Sequence, residues 1–246
     1  MSQIRLDKCL TLLGIGTRTE VKTLIRKGAV LVRDQRITDP SAKFDAENAE
    51  IQVGATQYVF KSSRTIMMNK TAGVLTAARD PKQKTVMDTL PEIYVGLGCM
   101  PVGRLDKDTT GLLILTSDGQ LAHRLISPMH EVGKVYEAVI DGPFTDMDRE
   151  AFERGIEIRD SDGTFTAKPA KVRVMENGDH ESIVRLSITE GKYHQVKRMF
   201  AMRGRTVTGL RRLAIGRLWL DHLEPGAFRE LGPEEIALLE QDGDEL

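Results

Sequence analysis

The first part of the chain alternates hydrophobic and polar positions with the period of a helix. Between residues 4 and 13 the apolar side chains fall on one face of a predicted helix: Ile4, Leu6, Cys9, Leu10 and Leu13. A second helix is predicted after two glycines, with Thr17 or Thr19 as its N-cap and Gly28 as its stop. Val30 and Val32 then alternate with polar neighbours, as in a short strand. This order predicts a compact domain over residues 1–60.

The pattern of the remaining chain, residues 61–246, predicts a second domain after a linker at residues 54–63. Its predicted strands are Thr65–Asn69, Leu112–Thr116, Lys134–Ile140, Ala170–Val174, Ile183–Ile188 and Leu218–Leu220. Its predicted helices are Thr85–Leu90, Gln120–Ile126, Asp146–Arg154, His194–Arg203 and Pro233–Gln241. Strands are more frequent than strict βαβ alternation allows, which favours an α+β fold with a mixed or antiparallel sheet.

Composition narrows the class of protein. The 246 residues contain no apolar run near the roughly 20 residues that span a bilayer, and charges interrupt the N-terminal segment. A cytoplasmic protein without membrane contact is therefore expected. Cys9 and Cys99 have neither the spacing nor the histidine neighbours of a zinc site, and we expect both to be packing thiols.

The net charge of −1 conceals an uneven distribution of charge. The stretch Gly191–Arg217 has eight bases and no acid, whereas Glu234–Leu246 has six acids and no base. A local surplus of positive charge attracts polyanions, although a solvated helix face with counter-charges from elsewhere is the plainer alternative.

The polar faces of the two N-terminal helices are also basic. Their cations are Arg5, Lys8, Arg18, Lys22, Arg26 and Lys27. Together with Thr17-Arg18, Leu24-Ile25 and the segment 28–32 (GAVLV), this arrangement resembles the S4 RNA-binding domain. The alternative is a generic two-helix domain whose bases are merely solvated. The resemblance implies that the six cations bind RNA.

A Gly-opened polar loop, residues 103–111 (GRLDKDTTG), leads into the fully apolar strand Leu112–Leu115. A loop beside a buried strand is a rigid place for a functional carboxylate. From the residues alone, Asp106 is either catalytic or a loop-shaping side chain that bonds nearby backbone N–H groups.

The segment GRLDKDTTGLLILTSDG resembles the catalytic segment of the ribosomal pseudouridine synthases that have an N-terminal S4 domain. Further similar segments follow in the family's order: 68–70 (MNK), 127–130 (SPMH), 134–136 (KVY), 190–200 (EGKYHQVKRMF), 210–212 (LRR) and 225–226 (PG). DTTG, SPxH and YHQVKRMF are most similar to members that act on small-subunit (16S) rRNA. Thr71 and Met129 depart from the family pattern, where Pro and Arg are usual, and the second departure weakens the choice of target.

The resemblance implies an isomerase that converts one uridine of rRNA, uridine 516 in the family, to pseudouridine. Asp106 would act at the sugar, held ionised by Lys197 or by Arg198. Tyr136 would stack on the flipped base, Leu210 would pack against it, and Arg104 would fill the vacated gap or pair with Asp106. His194 is taken as structural. The implied partner is rRNA, in a small-subunit assembly intermediate, and the protein is expected to be monomeric.

The isomerisation transfers no electrons and splits no phosphate, so no cofactor, nucleotide or metal is expected. The chain has no P-loop and no HExxH zinc motif. Three alternatives stay open: the same chemistry on 23S rRNA, a non-catalytic RNA-binding factor in ribosome assembly, and a metal-dependent nuclease that uses Asp106 and Asp108.

Overall fold

The structure is a computed structural model that describes residues 3–45, 49–61, 63–160, 163–243 and 246. The chain forms two compact units. One contains Met1–Arg64 and Leu90–Cys99, and the other contains Thr65–Thr89 and Met100–Leu246. The division after residue 60 stays a prediction, and the sequence pattern gave no sign that Leu90–Cys99 belongs with the first unit.

The first unit packs short helices on a small antiparallel sheet. Its helices are α1 (Leu6–Leu12), α2 (Arg18–Arg26) and α3 (Glu92–Gly96). Its strands are β1 (Gln3–Arg5), β2 (Val30–Val32), β3 (Gln35–Arg36), β4 (Lys43–Asp45), β5 (Ala49–Val53) and β6 (Thr56–Phe60). The sheet order is β3-β2-β5-β6, with β1 and β4 paired separately. The apolar faces predicted for α1 and α2 supply Leu6, Cys9, Leu10, Val21 and Ile25 to its core.

Local signals fix the ends of α2 as the sequence predicted. Thr17 is the N-cap, and its hydroxyl accepts from the Glu20 backbone N–H. The Glu20 carboxylate accepts in return from the Thr17 backbone N–H at 2.7 Å, which completes a capping box. Gly28 follows the last turn with a φ of +70°, a conformation that glycine adopts without steric cost.

The predicted linker at residues 54–63 was wrong. Most of it is strand β6, which forms a two-residue hairpin with β5 and buries Phe60 in the core of the first unit. Thr56, Tyr58 and Phe60 alternate with polar or exposed neighbours, so the segment has a strand pattern that its flanking Gly54 and serines obscured. Residue 62 lies outside the described residues.

The second unit is built on one large mixed sheet. Its strands are β7 (Thr65–Lys70), β8 (Met100–Pro101), β9 (Thr110–Thr116), β10 (Lys134–Asp141), β11 (Glu157–Asp160), β12 (Gly163–Thr166), β13 (Lys171–Asn177), β14 (Glu181–Ile188), β15 (Val207–Ile215), β16 (Leu218–Trp219) and β17 (Phe228–Glu230). The sheet order is β13-β14-β10-β15-β9-β7-β17, with β16 beside β15 and β8 beside β9. The β9–β15 pair is parallel and the other pairs of this sheet are antiparallel, which confirms the predicted α+β class with a mixed sheet.

The helices of this unit are α4 (Gly119–Ile126), α5 (Asp146–Arg154), α6 (Gln195–Ala201) and α7 (Pro233–Leu238). All four lie within predicted helices or extend one by a single residue. The helix predicted at Thr85–Leu90 was wrong, because only a turn of 3-10 helix forms at Met87–Thr89, where the Asp88 carboxylate bonds Thr85. No strand was predicted from the sequence at Val207–Ile215, where the structure has β15. None of the helices in the described part of the chain has the length and hydrophobicity to cross a membrane.

Candidate active site

The loop that contains Asp106 lies between β8 and β9, at one end of a central buried strand. Gly111, at the end of this loop, allows β9 to lie close to the adjacent strand β15. Its φ is +98°, and a Cβ there would lie 2.2 Å from the Arg212 carbonyl oxygen of the adjacent parallel strand β15. A side chain at residue 111 would therefore force β9 and β15 apart directly beside the loop.

The buried side chain of Lys70 holds the backbone of this loop through hydrogen bonds. Lys70 ends β7, and only 1% of it is exposed. Its Nζ donates to the backbone carbonyls of Asp106 at 3.1 Å, Lys107 at 3.3 Å and Thr109 at 2.9 Å, and to that of Thr71 at 3.1 Å. One buried ammonium thus fixes the backbone on both sides of the Asp106 side chain. Burial lowers the pKa of Lys70 to about 8, although Asp108 and Asp106 favour its charged form.

Two further contacts hold the same backbone. The Thr76 hydroxyl donates to the Leu105 carbonyl at 2.8 Å and accepts from the Leu105 N–H at 3.3 Å. The Gly73 N–H donates to the Lys107 carbonyl at 2.8 Å. The loop is therefore pinned before, at and after Asp106, which is the preorganisation that a catalytic group requires.

The Asp106 carboxylate lies between two basic side chains of the segment 194–197. The distance from its Oδ2 to Lys197 Nζ is 3.4 Å, and from its Oδ1 to His194 Nε2 it is also 3.4 Å. Its side chain is 27% exposed, so a substrate can reach it. His194 has a left-handed φ of +48°, and its ring stacks on Tyr193 with centroids 3.8 Å apart.

Lys197 contacts Asp108 more closely than Asp106. Its Nζ donates to both Asp108 carboxylate oxygens, at 2.7 and 2.8 Å. That hydrogen bond keeps the pKa of Asp108 below its usual value. Burial lowers the pKa of Lys197, but its bonds to Asp108 and the charge of Asp106 outweigh this and raise it overall. The ammonium therefore stays protonated beside both carboxylates at neutral pH.

A cavity opens beside the carboxylate, and we refer to it as the aspartate pocket. Its lining includes Arg104, Asp106, Tyr136, His194, Val196 and Leu210. Tyr136 is largely buried in β10, and Arg212 of β15 donates to its hydroxyl at 3.4 Å. The pocket thus combines an ionisable oxygen, an aromatic ring and four aliphatic side chains, a set that fits a flat heterocycle next to a sugar.

Most of the substrate-binding residues predicted from the sequence lie in this pocket, but Arg198 does not. Arg104, Tyr136 and Leu210 line it with Asp106, and Lys197 lies at its edge. Arg198 donates instead to the Tyr193 carbonyl at 3.1 Å, and its guanidinium lies over the Phe165 ring. Of the two cations proposed to face Asp106, the structure therefore places Lys197 there.

The cations predicted in the first unit divide into two groups. Arg5, Lys8, Arg18 and Lys22 line a cavity of about 430 Å³ between α1 and α2, where Arg5 pairs with Asp7 at 2.7 Å. Arg26 and Lys27 lie at the far end of α2 from Arg18. A concentrated basic recess is therefore available to a phosphate backbone.

Sequence reasoning missed Lys70, Thr76 and Arg212 as parts of this site. Lys70 and Arg212 were noticed only as members of similar segments, and nothing local indicates that a lysine at a strand end is buried. Among the described residues no group of three or more His, Cys, Asp or Glu side chains is arranged to hold a metal ion.

The structure thus brings an aspartate, a neighbouring lysine and a tyrosine to one site on a mixed sheet, in a chain whose other unit is basic and helical. This combination suits an enzyme that acts on RNA. The chain belongs to the RNA pseudouridylate synthase family, whose model matches residues 64–202, and an S4 domain model matches residues 4–51. Members of the family isomerise uridine to pseudouridine, so the protein is an isomerase, and the resemblance found in its sequence is confirmed.

Individual relatives match along almost the whole chain. An uncharacterised RNA pseudouridine synthase of Bacillus subtilis, YtzG, is 41% identical, over 97% of this chain and 99% of its own. The ribosomal small subunit pseudouridine synthase A of Vibrio cholerae is 40% identical, over 95% and 98%. A crystal structure of a pseudouridylate synthase is 33% identical, covers 96% of this chain and 99% of its own, and superposes with a TM-score of 0.66.

Proposed function

We propose that the protein converts one uridine of small-subunit rRNA, the residue equivalent to uridine 516 of 16S rRNA, to pseudouridine, with Asp106 as the catalytic carboxylate. The observation that carries the proposal is the loop geometry: Lys70, Thr76 and Gly73 hold the backbone around Asp106. The Asp106 carboxylate shares one pocket with Tyr136 and lies 3.4 Å from the Lys197 ammonium. Relatives named for the ribosomal small subunit, at up to 40% identity over nearly the full length, support the choice of RNA.

The reaction breaks the N1–C1′ bond, turns the base and forms a C5–C1′ bond. Uridine and pseudouridine are isomers, because the proton lost from C5 is balanced by the proton gained at N1. Asp106 either attacks C1′ directly or removes the C2′ proton to form a glycal, and both routes need an ionised carboxylate. Lys197 supports ionisation because its ammonium lies 3.4 Å from the carboxylate oxygen.

The target uridine must leave its stack to reach Asp106, at a cost of a few kcal/mol. Tyr136 offsets part of this cost, since stacking of a base on an aromatic ring contributes roughly 1–3 kcal/mol. Leu210 packs against the base, and Arg104, which is exposed at the mouth of the pocket, takes the position that the base vacates. Arg198 contributes through the backbone of Tyr193 rather than by contact with Asp106.

Pseudouridine mapping in rRNA tests the target directly. In cells that lack the gene, we expect one small-subunit site to lose its pseudouridine, and we expect the wild-type chain to restore it but not Asp106→Asn. Loss of a large-subunit site instead would leave the chemistry intact and show that the 16S target is wrong. No change at any site would favour the non-catalytic assembly factor.

The first unit contributes affinity for the same RNA through its basic recess. Each phosphate contact that a cation makes steepens the dependence of log K on log salt by about 0.7–0.9. We expect the triple variant Lys8→Gln, Arg18→Gln, Lys22→Gln to flatten that slope by roughly 2–3 in salt titrations of RNA binding. Charge substitution is preferable to deletion of residues 1–60, because Leu90–Cys99 also belongs to this unit.

A matched control removes three cations from helices and strands of the second unit: Arg154→Gln, Arg159→Gln and Lys171→Gln. It makes the same change in net charge, and we expect its slope to differ from wild type by less than about 1. If both triple variants flatten the salt dependence of RNA binding equally, RNA binding depends on the total charge of the protein and the recess is not an RNA site. The proposed setting is the cytoplasm, with a monomer acting on a subunit assembly intermediate.

A further inference from the structure

A second cavity adjoins the aspartate pocket within the second unit, and we refer to it as the flanking cavity. Its volume is about 240 Å³. Arg104, Tyr136, Gly191 and Lys192 line both cavities, so the two share a wall. Neither Asp106 nor Lys197 borders the flanking cavity, and the reaction proposed above assigns no part to it.

One side of the flanking cavity is apolar. The end of α4 contributes Leu125 and Ile126, and Pro128 follows them in the chain. Ile126 is 54% exposed at the rim, so its side chain is accessible to a bound molecule. Tyr136 completes this side. The lining therefore offers surfaces on which a flat, weakly polar ring can pack.

The other side of the flanking cavity is strongly basic. Five cations line the cavity and only one acid: Arg104, Lys134, Lys168, Lys192 and Arg212, with Glu190. Some of this charge is balanced, because Lys168 pairs with Glu131 and Lys192 lies 3.8 Å from Glu190. Lys134 is not paired in this way, since its Nζ donates to the Val132 carbonyl.

Arg212 is the most informative of these cations. Only 3% of it is exposed, and its Nε donates to the Leu112 carbonyl at 2.7 Å. Its Nη2 is buried and has no hydrogen-bond acceptor among the residues that the structure describes. A buried donor without an acceptor is uncommon in proteins and is often satisfied by a ligand or a water. Burial, and to a smaller extent the charge of Arg212, lower the pKa of Lys134 to about 8.

We propose that the flanking cavity binds a second nucleotide of the same RNA strand, an immediate neighbour of the target uridine. The neighbour's base packs against Leu125, Ile126 and Pro128, and its phosphate lies against Lys134, Lys168 and Arg212. This inference rests on the proposed function, because the target base in the aspartate pocket places its neighbours at the shared wall. A cavity that combines apolar walls with cations fits a nucleotide better than a free phosphate or an apolar ligand. The protein would then hold two unstacked nucleotides at once.

The test compares RNA hairpins that contain the target uridine with hairpins that lack the base at either of its neighbours. Ile126→Trp fills the cavity from its rim, where 54% of Ile126 is exposed and a larger side chain has room. Met147→Trp is the matched control, since Met147 is 72% exposed in the same unit and lines neither cavity. Binding is measured by fluorescence anisotropy, and pseudouridine formation is measured separately on the same RNAs.

For Ile126→Trp we expect about tenfold weaker binding of the intact hairpin, which is the loss of one stacked base. We expect less than a twofold change on one of the two base-deleted hairpins, the one that lacks the base bound in the cavity. We expect no change for Met147→Trp on any RNA. Lys168→Gln should weaken binding of the intact and the base-deleted hairpins equally, because the phosphate remains in both.

Other outcomes would overturn the proposal. If Ile126→Trp weakens binding of every hairpin equally, or of none, the cavity does not hold a neighbouring base. The two readouts separate this from the reaction itself. If the wild-type protein binds one base-deleted hairpin more weakly than the intact hairpin but makes no pseudouridine, the proposed function is refuted and the cavity proposal stands. If it makes pseudouridine equally well on all the hairpins, the cavity proposal is refuted and the proposed function stands.

Discussion

Asp106→Asn is expected to lower the rate of uridine isomerisation by about 10³-fold or more, while the Kd for RNA stays within about twofold of wild type. Asparagine has the same shape as aspartate but cannot ionise, so it can neither attack C1′ nor accept the C2′ proton. The loop should keep its position, because Lys70, Thr76 and Gly73 hold its backbone and not this side chain. Single-turnover pseudouridine formation and anisotropy titrations measure the two quantities.

The neighbouring carboxylate provides a closely matched control. Asp108 lies on the same loop and takes the shorter contacts from Lys197, but its side chain is 73% exposed. Asp108→Asn removes one negative charge, as Asp106→Asn does, and leaves Lys197 free to move towards Asp106. We expect its rate to fall by no more than about tenfold. Residual activity of Asp106→Asn within tenfold of wild type, or an equal loss in both variants, would contradict the catalytic role of Asp106.

Lys70→Met is expected to reduce the free energy of unfolding by about 3 kcal/mol and to lower the isomerisation rate with it. Methionine fills similar space, but four backbone carbonyls then lose their shared donor, three of them in the loop around Asp106. The control is Lys107→Met in the same loop, where the exposed Nζ donates to the Gln83 side chain at 2.6 Å. Urea denaturation of both variants measures the difference, and a Lys70→Met protein as stable as the control would show that the anchor is dispensable.

The stabilisation lost in Lys70→Met should also depend on pH. The pKa of Lys70 is lowered to about 8 in the folded protein, from the 10.5 of an ordinary lysine. Between these values the unfolded chain binds more protons than the folded chain, so at this site stability rises with pH. Methionine does not titrate, and the difference in unfolding free energy between wild type and Lys70→Met should therefore grow from about pH 8 to about pH 10.5. Urea denaturation of both proteins across this pH range measures that difference. If the difference between wild type and Lys70→Met stays constant, the burial of Lys70 does not shift its pKa.

The parts of this molecule that could be predicted from sequence are those with a local physical cause. The strand at residues 112–116 was visible because it is uniformly apolar, and α2 was visible from Thr17, Glu20 and Gly28. The Asp106 loop stood out because a polar segment enters that strand. By contrast β15 contains Arg211 and Arg212 at its centre, and no local rule shows that a buried arginine will bond a neighbouring strand and a tyrosine ring's hydroxyl.

The sequence predicted which residues belong to the candidate site better than it predicted the contacts that hold them in place. Resemblance supplied Asp106, Tyr136 and Leu210, which the fold brings to one pocket, and Lys197, which lies 3.4 Å from Asp106, but their chemical roles stay predictions. Lys70 could not have been singled out, because its function depends on carbonyls nearly forty residues away in the chain. Such contacts are set by tertiary packing, and a pattern of neighbouring residues contains no information about them.

The return of Leu90–Cys99 to the first unit affects how the protein is made and how its gene can recombine. Leu97 packs on the core of that unit, and a Cβ on Gly96 would lie 2.2 Å from a methyl of Leu12. During synthesis, the last helix of the first unit is therefore completed only at Gly96, after the whole segment Thr65–Thr89 of the second unit has been made. For the same reason, an exchange of the N-terminal segment between relatives at a single crossover after residue 64 would separate Gly96 from the helix it has to match. Three crossovers, one after residue 64 and one on either side of residues 90–99, are required to transfer this unit without any part of the second.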